Sequence, residues 1–426
     1  ANVNAQSLTG SVAVTTAKAA TALVAQSGTD MALGTYAVSG GTATLTSAGT
    51  FTSTSGTASG NITLDAVGNA STGTITTNAG VIDLESSTGT LTTGAVSGAS
   101  SVLLKSSGNL VAGALTSTTA NVNAQSLTGS VAVTTAKAAT ALVAQSGTDM
   151  ALGTYAVSGG TATLTSAGTF TSTSGTASGN ITLSAVGNAS TGAVTSSAGT
   201  VDLKSTGGTL TTGAVSGTSG VLLKSSGNLV ATTVTSTSAN VNAQSLTGSV
   251  AVTTAKAATA LVAQSGTTMT LGSFTVSAGG ANLTSGTDFT SGTGTSYGPM
   301  TISMTGIGSL GTLTTTTGAI NATSTLKGMS FTALKAGTGI ILRAKANMGL
   351  GLNPTFALFG TSLDAGTGAV DAQTTTGNIQ IGKLIAKTNS TVKTSDGSLK
   401  ISAVTLPALV TLTATTSGTR SLPAGY

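Results

Sequence analysis

The chain repeats itself at an interval of 119 residues. The stretch Ala1–Leu64 recurs letter for letter as Ala120–Leu183, and Ala1–Thr29 recurs again as Ala239–Thr267. Each long unit divides further into six pieces of about 20 residues, one of which is a single residue shorter than the rest. Repeats of this size are typical of solenoids, because one piece cannot bury its apolar face alone and has to stack on its neighbours. The repeat therefore predicts one continuous stack of turns rather than several globular domains.

Each piece has the pattern of short strands. Apolar residues alternate with polar ones, which predicts half-buried strands, and Gly, Ser and Asn recur every few residues, which predicts turns. When the pieces are aligned, Leu64, Leu84 and Leu104 fall in one column. We predict an all-β fold, a parallel β-helix (β-solenoid) with about 20 residues and three short strands per rung. Parallel crossovers are overwhelmingly right-handed, so a right-handed helix is expected.

The amino-acid composition excludes some classes of protein and divides the chain into two parts. Only 6% of the residues are charged and mean hydropathy is +0.37, which excludes a disordered chain. No apolar stretch is long enough for a transmembrane helix. Residues 1–280 are electrically neutral, whereas 281–426 hold the whole net charge of +5 and all four prolines. We predict a shaft of near-identical repeats over 1–280 and a diverged, basic continuation of the β-helix over 281–426, with an irregular segment near 340–360.

The sequence contains few of the residues that catalysis requires. The chain has no His and no Cys, so Ser-His-Asp and Cys-His sites cannot form from it. Asp83 and Glu85 lie on one face of a strand, but the second copy has Asp202 and Lys204 there, so the carboxylate pair is not repeated. Glu85 and Lys105 fall in one column and are predicted to form an exposed ion pair. We predict a protein that is not an enzyme and that has no metal site and no cofactor.

Other side chains suggest contact surfaces. Thr42, Thr44 and Thr46 line one face of a strand, as in ice-binding solenoids, but neighbouring rungs carry Ala, Ser, Asp or Lys in those columns, which disfavours that function. Tyr36 and its copy Tyr155 are predicted to be partly buried. The basic residues after 281 are sparse and not interleaved with aromatics, so nucleic-acid binding is not expected. The possible contact region in the tail consists of Arg343, Lys345, Phe356 and Phe359.

Residues 179–234, GNITLSAVGNASTGAVTSSAGTVDLKSTGGTLTTGAVSGTSGVLLKSSGNLVATTV, resemble the haemagglutinin-type repeats of filamentous haemagglutinin-like large exoproteins of two-partner secretion. The resemblance covers most of 1–290 and continues weakly over 362–384. It implies a right-handed β-helical fibre at the surface of a Gram-negative bacterium. The expected function is structural, giving length, rigidity and cell–cell or cell–surface contact, with self-association end to end or laterally. The alternative is an adhesin that binds a receptor or glycan through the C-terminal region.

Overall fold

Nearly every turn of the chain carries two strands, a short one of about five residues and a long one of about eight. The computed structural model describes residues 1–346 and 356–425, and all regular secondary structure in that part is β-strand. The chain divides into two units, Ala1–Gly213 and Ala214–Tyr426. Each unit is a parallel β-solenoid, and together they contain about 20 turns. The predicted all-β solenoid is therefore confirmed.

The first unit is built from strands β1 to β22 and the first half of β23. Their bounds are β1 Val3–Ser7, β2 Val12–Ala19, β3 Ala22–Ser27, β4 Met31–Val38, β5 Thr42–Ser47, β6 Phe51–Ala58, β7 Ile62–Ala66, β8 Ala70–Thr77, β9 Ile82–Ser86, β10 Leu91–Thr93, β11 Val96–Gly98, β12 Val102–Ser106, β13 Leu110–Ser117, β14 Val122–Ser126, β15 Val131–Ala138, β16 Ala141–Ser146, β17 Met150–Val157, β18 Thr161–Ser166, β19 Phe170–Ala177, β20 Ile181–Ala185, β21 Ala189–Ser196, β22 Val201–Ser205 and β23 Leu210–Gly217.

The second unit contains strands β24 to β43. Their bounds are β24 Val221–Ser225, β25 Leu229–Ser236, β26 Val241–Ser245, β27 Val250–Ala257, β28 Leu261–Ser265, β29 Met269–Val276, β30 Ala281–Ser285, β31 Phe289–Ser296, β32 Met300–Met304, β33 Gly308–Thr315, β34 Ile320–Ser324, β35 Met329–Lys335, β36 Ile340–Ala344, β37 Phe356–Asp364, β38 Val370–Thr374, β39 Asn378–Ile385, β40 Ser390–Thr394, β41 Leu399–Thr405, β42 Leu412–Thr415 and β43 Arg420–Ser421.

The strand register reproduces the repeat read from the sequence. In the first unit the short strands pair only with short strands, and Leu64, Leu84 and Leu104 lie in one column, as predicted. Leu23 pairs with Ala43, and Ala43 in turn pairs with Ile62, so the second of these turns is one residue shorter than the first. The single shorter turn of each long repeat is therefore the one between β5 and β7, and it recurs between β18 and β20.

The prediction of three short strands per rung is not what the structure has, because two of the expected strands are joined. In β13 the residues that point inward are the first, third, sixth and eighth, so the alternation breaks in the middle of the strand. The break lies next to Gly113, and the ladder with β15 skips this residue. In one turn the same bend separates two strands, β10 and β11. The long strand therefore bends and supplies two faces of the turn, while the short strand supplies another.

The core is narrow and mostly aliphatic, and its most regular polar column lies in the short strands. Inward positions are mostly Ala, Val, Leu and Ile, but the last inward position of the short strands is usually a buried Ser. Ser166 is typical, because its hydroxyl donates to the carbonyl oxygens of Thr148 and Thr169, both at 2.8 Å. These carbonyls belong to the corner between the short and long strands. The buried serine hydroxyls thus find hydrogen-bond partners among the backbone carbonyls of this corner.

Tyr36 and Tyr155 are buried rather than partly exposed, which corrects the expectation from the sequence. Each side chain is only 3% accessible. The reason lies one turn further along the chain, where Tyr36 pairs with Gly56 and Tyr155 pairs with Gly175. A Cβ atom on Gly56 would lie 2.0 Å from Cζ of Tyr36, so the ring occupies the volume that a side chain would need.

Stacking completes each turn. Val3 and Val122 are the same residue in two copies, yet Val3 is half-buried, whereas Val122 is fully buried. β14 has a paired strand on both sides, while β1 pairs with β3. The apolar core of one turn is therefore sealed only when another turn covers it, as expected for a solenoid.

Candidate contact surfaces

The predicted contact region in the tail is not a single site. Arg343 lies in the short strand β36, and Lys345 follows that strand. Phe356 and Phe359 lie in β37, which belongs to the ladder of long strands, and their rings are 5.5 Å apart. The two pairs thus belong to different sheets of the unit. Residues 347–355, the middle of the predicted irregular segment, lie outside the described residues.

Arg343 has an acidic partner in the following turn. Its guanidinium forms an ion pair with Asp371, and it also donates to the backbone carbonyl of Asp371 at 3.0 Å. Gln373 donates to the other carboxylate oxygen of Asp371 at 2.8 Å. The turn that separates Arg343 from Asp371 is longer than those before it, so the regular spacing of the repeat could not reveal the pair.

A shallow depression lies beside this ion pair on the outer face of the second unit. It is lined by Arg343, Lys345, Gln373 and Lys393, together with Ser and Thr side chains. Such a surface can donate several hydrogen bonds to an anionic or hydroxyl-rich group. It includes neither Phe356 nor Phe359, so it brings together half of the residues predicted from the sequence.

In the first unit the outer face of the short strands carries most of the charge. Asp65, Glu85 and Lys105 are consecutive members of one outward column, and Asp83 lies two residues before Glu85 on the same face. Nζ of Lys105 is 2.8 Å from Oε1 of Glu85, which confirms the predicted cross-rung ion pair. Both side chains are more than one-third exposed, so solvent screens the pair and it contributes little to the stability of the fold.

The charges in this cluster do not balance. Three carboxylates face one ammonium group, which leaves a net negative surface. Partial burial, and then the nearby charge of Glu85, raise the pKa of Asp83. The hydrogen bond from Lys105 to Glu85, together with their attraction, raises the pKa of Lys105. The acidic cluster is thus only partly neutralised by residues of its own chain.

A second polar column runs along the corner that precedes the long strands. Oδ1 of Asn69 accepts from the backbone N–H of Thr90 at 2.9 Å, and Asp149 accepts from Thr169 at 2.7 Å. Hydrogen bonds from the backbone N–H and the hydroxyl of Thr169 lower the pKa of Asp149. Over residues 30–249 the column alternates Asp or Asn with Ser or Thr, and Oδ1 of each Asp or Asn accepts a hydrogen bond from the next turn. Aligning the sequence in pairs of turns would have revealed this two-turn pattern.

Within residues 1–346 and 356–425 no group of three or more His, Cys, Asp or Glu side chains is arranged to hold a metal ion. The same residues include no helix of the length and apolarity needed to cross a bilayer. Comparison of the chain with protein-family models, curated proteins and solved structures finds no match. The outer faces described above are therefore the basis for a functional proposal.

Proposed function

We propose that the protein is a structural component of an extracellular bacterial surface fibre. In this function the β-solenoid, proposed to be right-handed, gives length and rigidity and supports contact between cells or between a cell and a surface. Copies of the chain associate with one another end to end or side by side. The resemblance of residues 179–234 to haemagglutinin-type repeats supports the extracellular setting.

One observation carries the proposal: the repeat keeps its structure as well as its sequence. Phe51 and its copy Phe170 are both fully buried, and Tyr36 and Tyr155 are equally buried. Asp30 and Asp149 accept the same hydrogen bonds from the following turn at the same 2.7 Å distance. Duplication of such a unit adds six turns without altering those already present. Each 119-residue repeat lengthens a solenoid by about 29 Å, taking ~4.8 Å per turn. Repetition of this kind suits a protein whose function is to provide length.

The outer surface supports the same function. Ser, Thr, Asn and Gln dominate the outward positions of the short strands, and only a few charged side chains lie among them. Weakly charged β surfaces repel one another little, which favours side-by-side packing.

Electron microscopy of the purified full-length chain over a range of concentrations tests the proposal. We expect particles a few nanometres wide whose length grows with concentration, and side-by-side bundles at the highest concentrations. Sedimentation velocity should show the same growth in solution. Particles of a single size, with no larger species at any concentration, would contradict a filament-forming function.

The alternative function is adhesion to a receptor or glycan through the C-terminal region. The depression around Arg343 and Lys393 favours it, because its donors suit an acidic sugar. Binding of the full chain to an array of sialylated and sulfated glycans would test this alternative. A chain that lacks 290–426 should lose glycan binding and keep filament formation, whereas unchanged glycan binding by the shortened chain would exclude this site.

A further inference from the structure

The two copies of the repeat in the first unit differ in charge at equivalent sites on one face. Asp65, Asp83 and Glu85 in the first copy correspond to Ser184, Asp202 and Lys204 in the second. The outer face of the short strands therefore bears a net negative cluster around Glu85 and an exposed lysine at Lys204. These two sites lie in one straight column, whose members are Glu85, Lys105, Gln125, Gln145, Thr165, Ser184 and Lys204.

Gln145 lies at the midpoint of this column, three turns from Glu85 and three turns from Lys204. We propose that this face binds a second copy of the same chain in antiparallel orientation, about a two-fold axis that passes by Gln145. Such an axis lies in the interface and runs along the strands, so each column faces itself with the order of its turns reversed. Glu85 of each copy then faces Lys204 of the other, and both contacts form at once.

The rest of the face fits this arrangement. Between the two charged ends, the remaining members of the column are Gln, Thr and Ser, apart from Lys105, which is already paired with Glu85. Seven turns at ~4.8 Å and a strand about 16 Å long give an area of roughly 550 Å² per copy, or about 1,100 Å² in total. That total is at the lower limit for a specific protein interface. A weak, reversible pair is therefore expected, and its association should depend on salt.

The face formed by the second half of the long strands lacks this complementarity. Its outward positions in the first unit carry Lys18 in one repeat and Lys137 in the next, so like charges recur at equivalent sites. The short-strand face also contains one opposing contact, because Asp83 would face Asp202 across the axis. This repulsive contact makes a specific prediction. Removing the charge of Asp83 should raise the affinity between the two chains, although it reduces the negative charge of the acidic cluster.

Reciprocal charge exchange in the full-length chain tests the proposal. Glu85→Lys gives the first repeat the residue that the second repeat has at this site, and Lys204→Glu does the reverse. Both variants are therefore expected to fold. Each alone should weaken the association measured by sedimentation equilibrium at low salt by about tenfold or more, because attraction becomes repulsion at two symmetric contacts. The double variant Glu85→Lys/Lys204→Glu should restore it. Lys137→Glu, which makes a charge change of the same size on a long-strand face, should have little effect.

Cross-linking tests the two-fold axis directly. The chain has no cysteine, so Gln145→Cys provides a single thiol near the axis. A short bifunctional maleimide should join two copies of this variant, while Lys137→Cys should give little product. Parallel copies shifted by one repeat unit would hold the two thiols about 29 Å apart and give no product.

The inference rests on the proposed function, since both require copies of the chain to associate. If the wild-type chain never associates, both fail. If it associates but the charge exchange does not change the affinity, or Asp83→Asn weakens the pair, only the interface proposed here is wrong.

Discussion

At the scale of single residues, the main feature is that large and small core residues compensate across turns. Tyr36 fills the space above Gly56, and Phe274 fills the space above Gly294 in the second unit. The pairing is invisible in one rung, because each rung by itself shows only an apolar pattern. This is why the burial of Tyr36 was not predicted, whereas the columns of Leu64 and Leu84 were. The rungs carry the same residue type in the leucine column but complementary types in the tyrosine column.

Gly56→Ala should destabilise the chain by about 1–3 kcal/mol, because the added methyl group overlaps the ring of Tyr36 in a tightly packed core. Urea denaturation followed by circular dichroism would measure the change. Tyr36→Leu alone leaves a cavity, but it makes room for the new methyl group. The double variant should therefore be more stable than the sum of the two single effects predicts. If the effects of the two single substitutions on stability simply add, the ring of Tyr36 and a methyl group at position 56 do not compete for the same space.

Burial also raises the pKa of both Tyr36 and Tyr155 above the usual value for tyrosine. In the unfolded chain these phenols ionise near pH 10, whereas the folded chain keeps them neutral. Their contribution to stability is therefore complete below about pH 10 and is lost as pH rises further. Denaturant midpoints measured between pH 8 and 12 should fall less steeply for Tyr36→Phe/Tyr155→Phe than for the wild type. An equally steep fall in the double variant would contradict this contribution of the buried phenols.

At the scale of strands, the bend in the long strand decides the shape of each turn. The sequence predicted the strands, the turn length and the Glu85–Lys105 pair, because these follow from a regular spacing. It did not predict that two strands would join through a bend, since a Gly can mark either a turn or a kink. It also missed Asp371 as the partner of Arg343, because a longer turn changes the spacing there.

The bend requires glycine where it lies close to the preceding turn. A Cβ atom on Gly192 would lie 1.8 Å from the backbone carbonyl oxygen of Thr173, so the backbone would have to move. Gly192→Ala should destabilise the fold by about 2 kcal/mol. Thr173→Ala, one turn earlier in the same exposed position of the bend, should change stability by less than about 0.5 kcal/mol. Equal unfolding midpoints for the two variants would contradict the requirement for glycine.

At the scale of the whole molecule, the repeat is expected to behave as an interchangeable length of solenoid. Deletion of residues 20–138 joins Ala19 to Ala139, and Ala139 is the copy of Ala20, so every strand register is preserved. The shortened chain should fold with the same circular dichroism spectrum per residue, and its stability should fall only by the contribution of six turns, because each turn contacts mainly its neighbours. The solenoid of the first unit should be shorter by about 29 Å.

The control deletion, residues 30–138, removes a similar length but joins two corners and omits a long strand. It should give a chain that aggregates or unfolds at lower denaturant concentration, since the next short strand cannot reach its register. The comparison separates two explanations for the near-identical copies. If the register of the turns is what has been duplicated, only the 20–138 deletion is tolerated. If length alone matters, both deletions should fold equally well, and the repeat would have no structural meaning as a unit of extension.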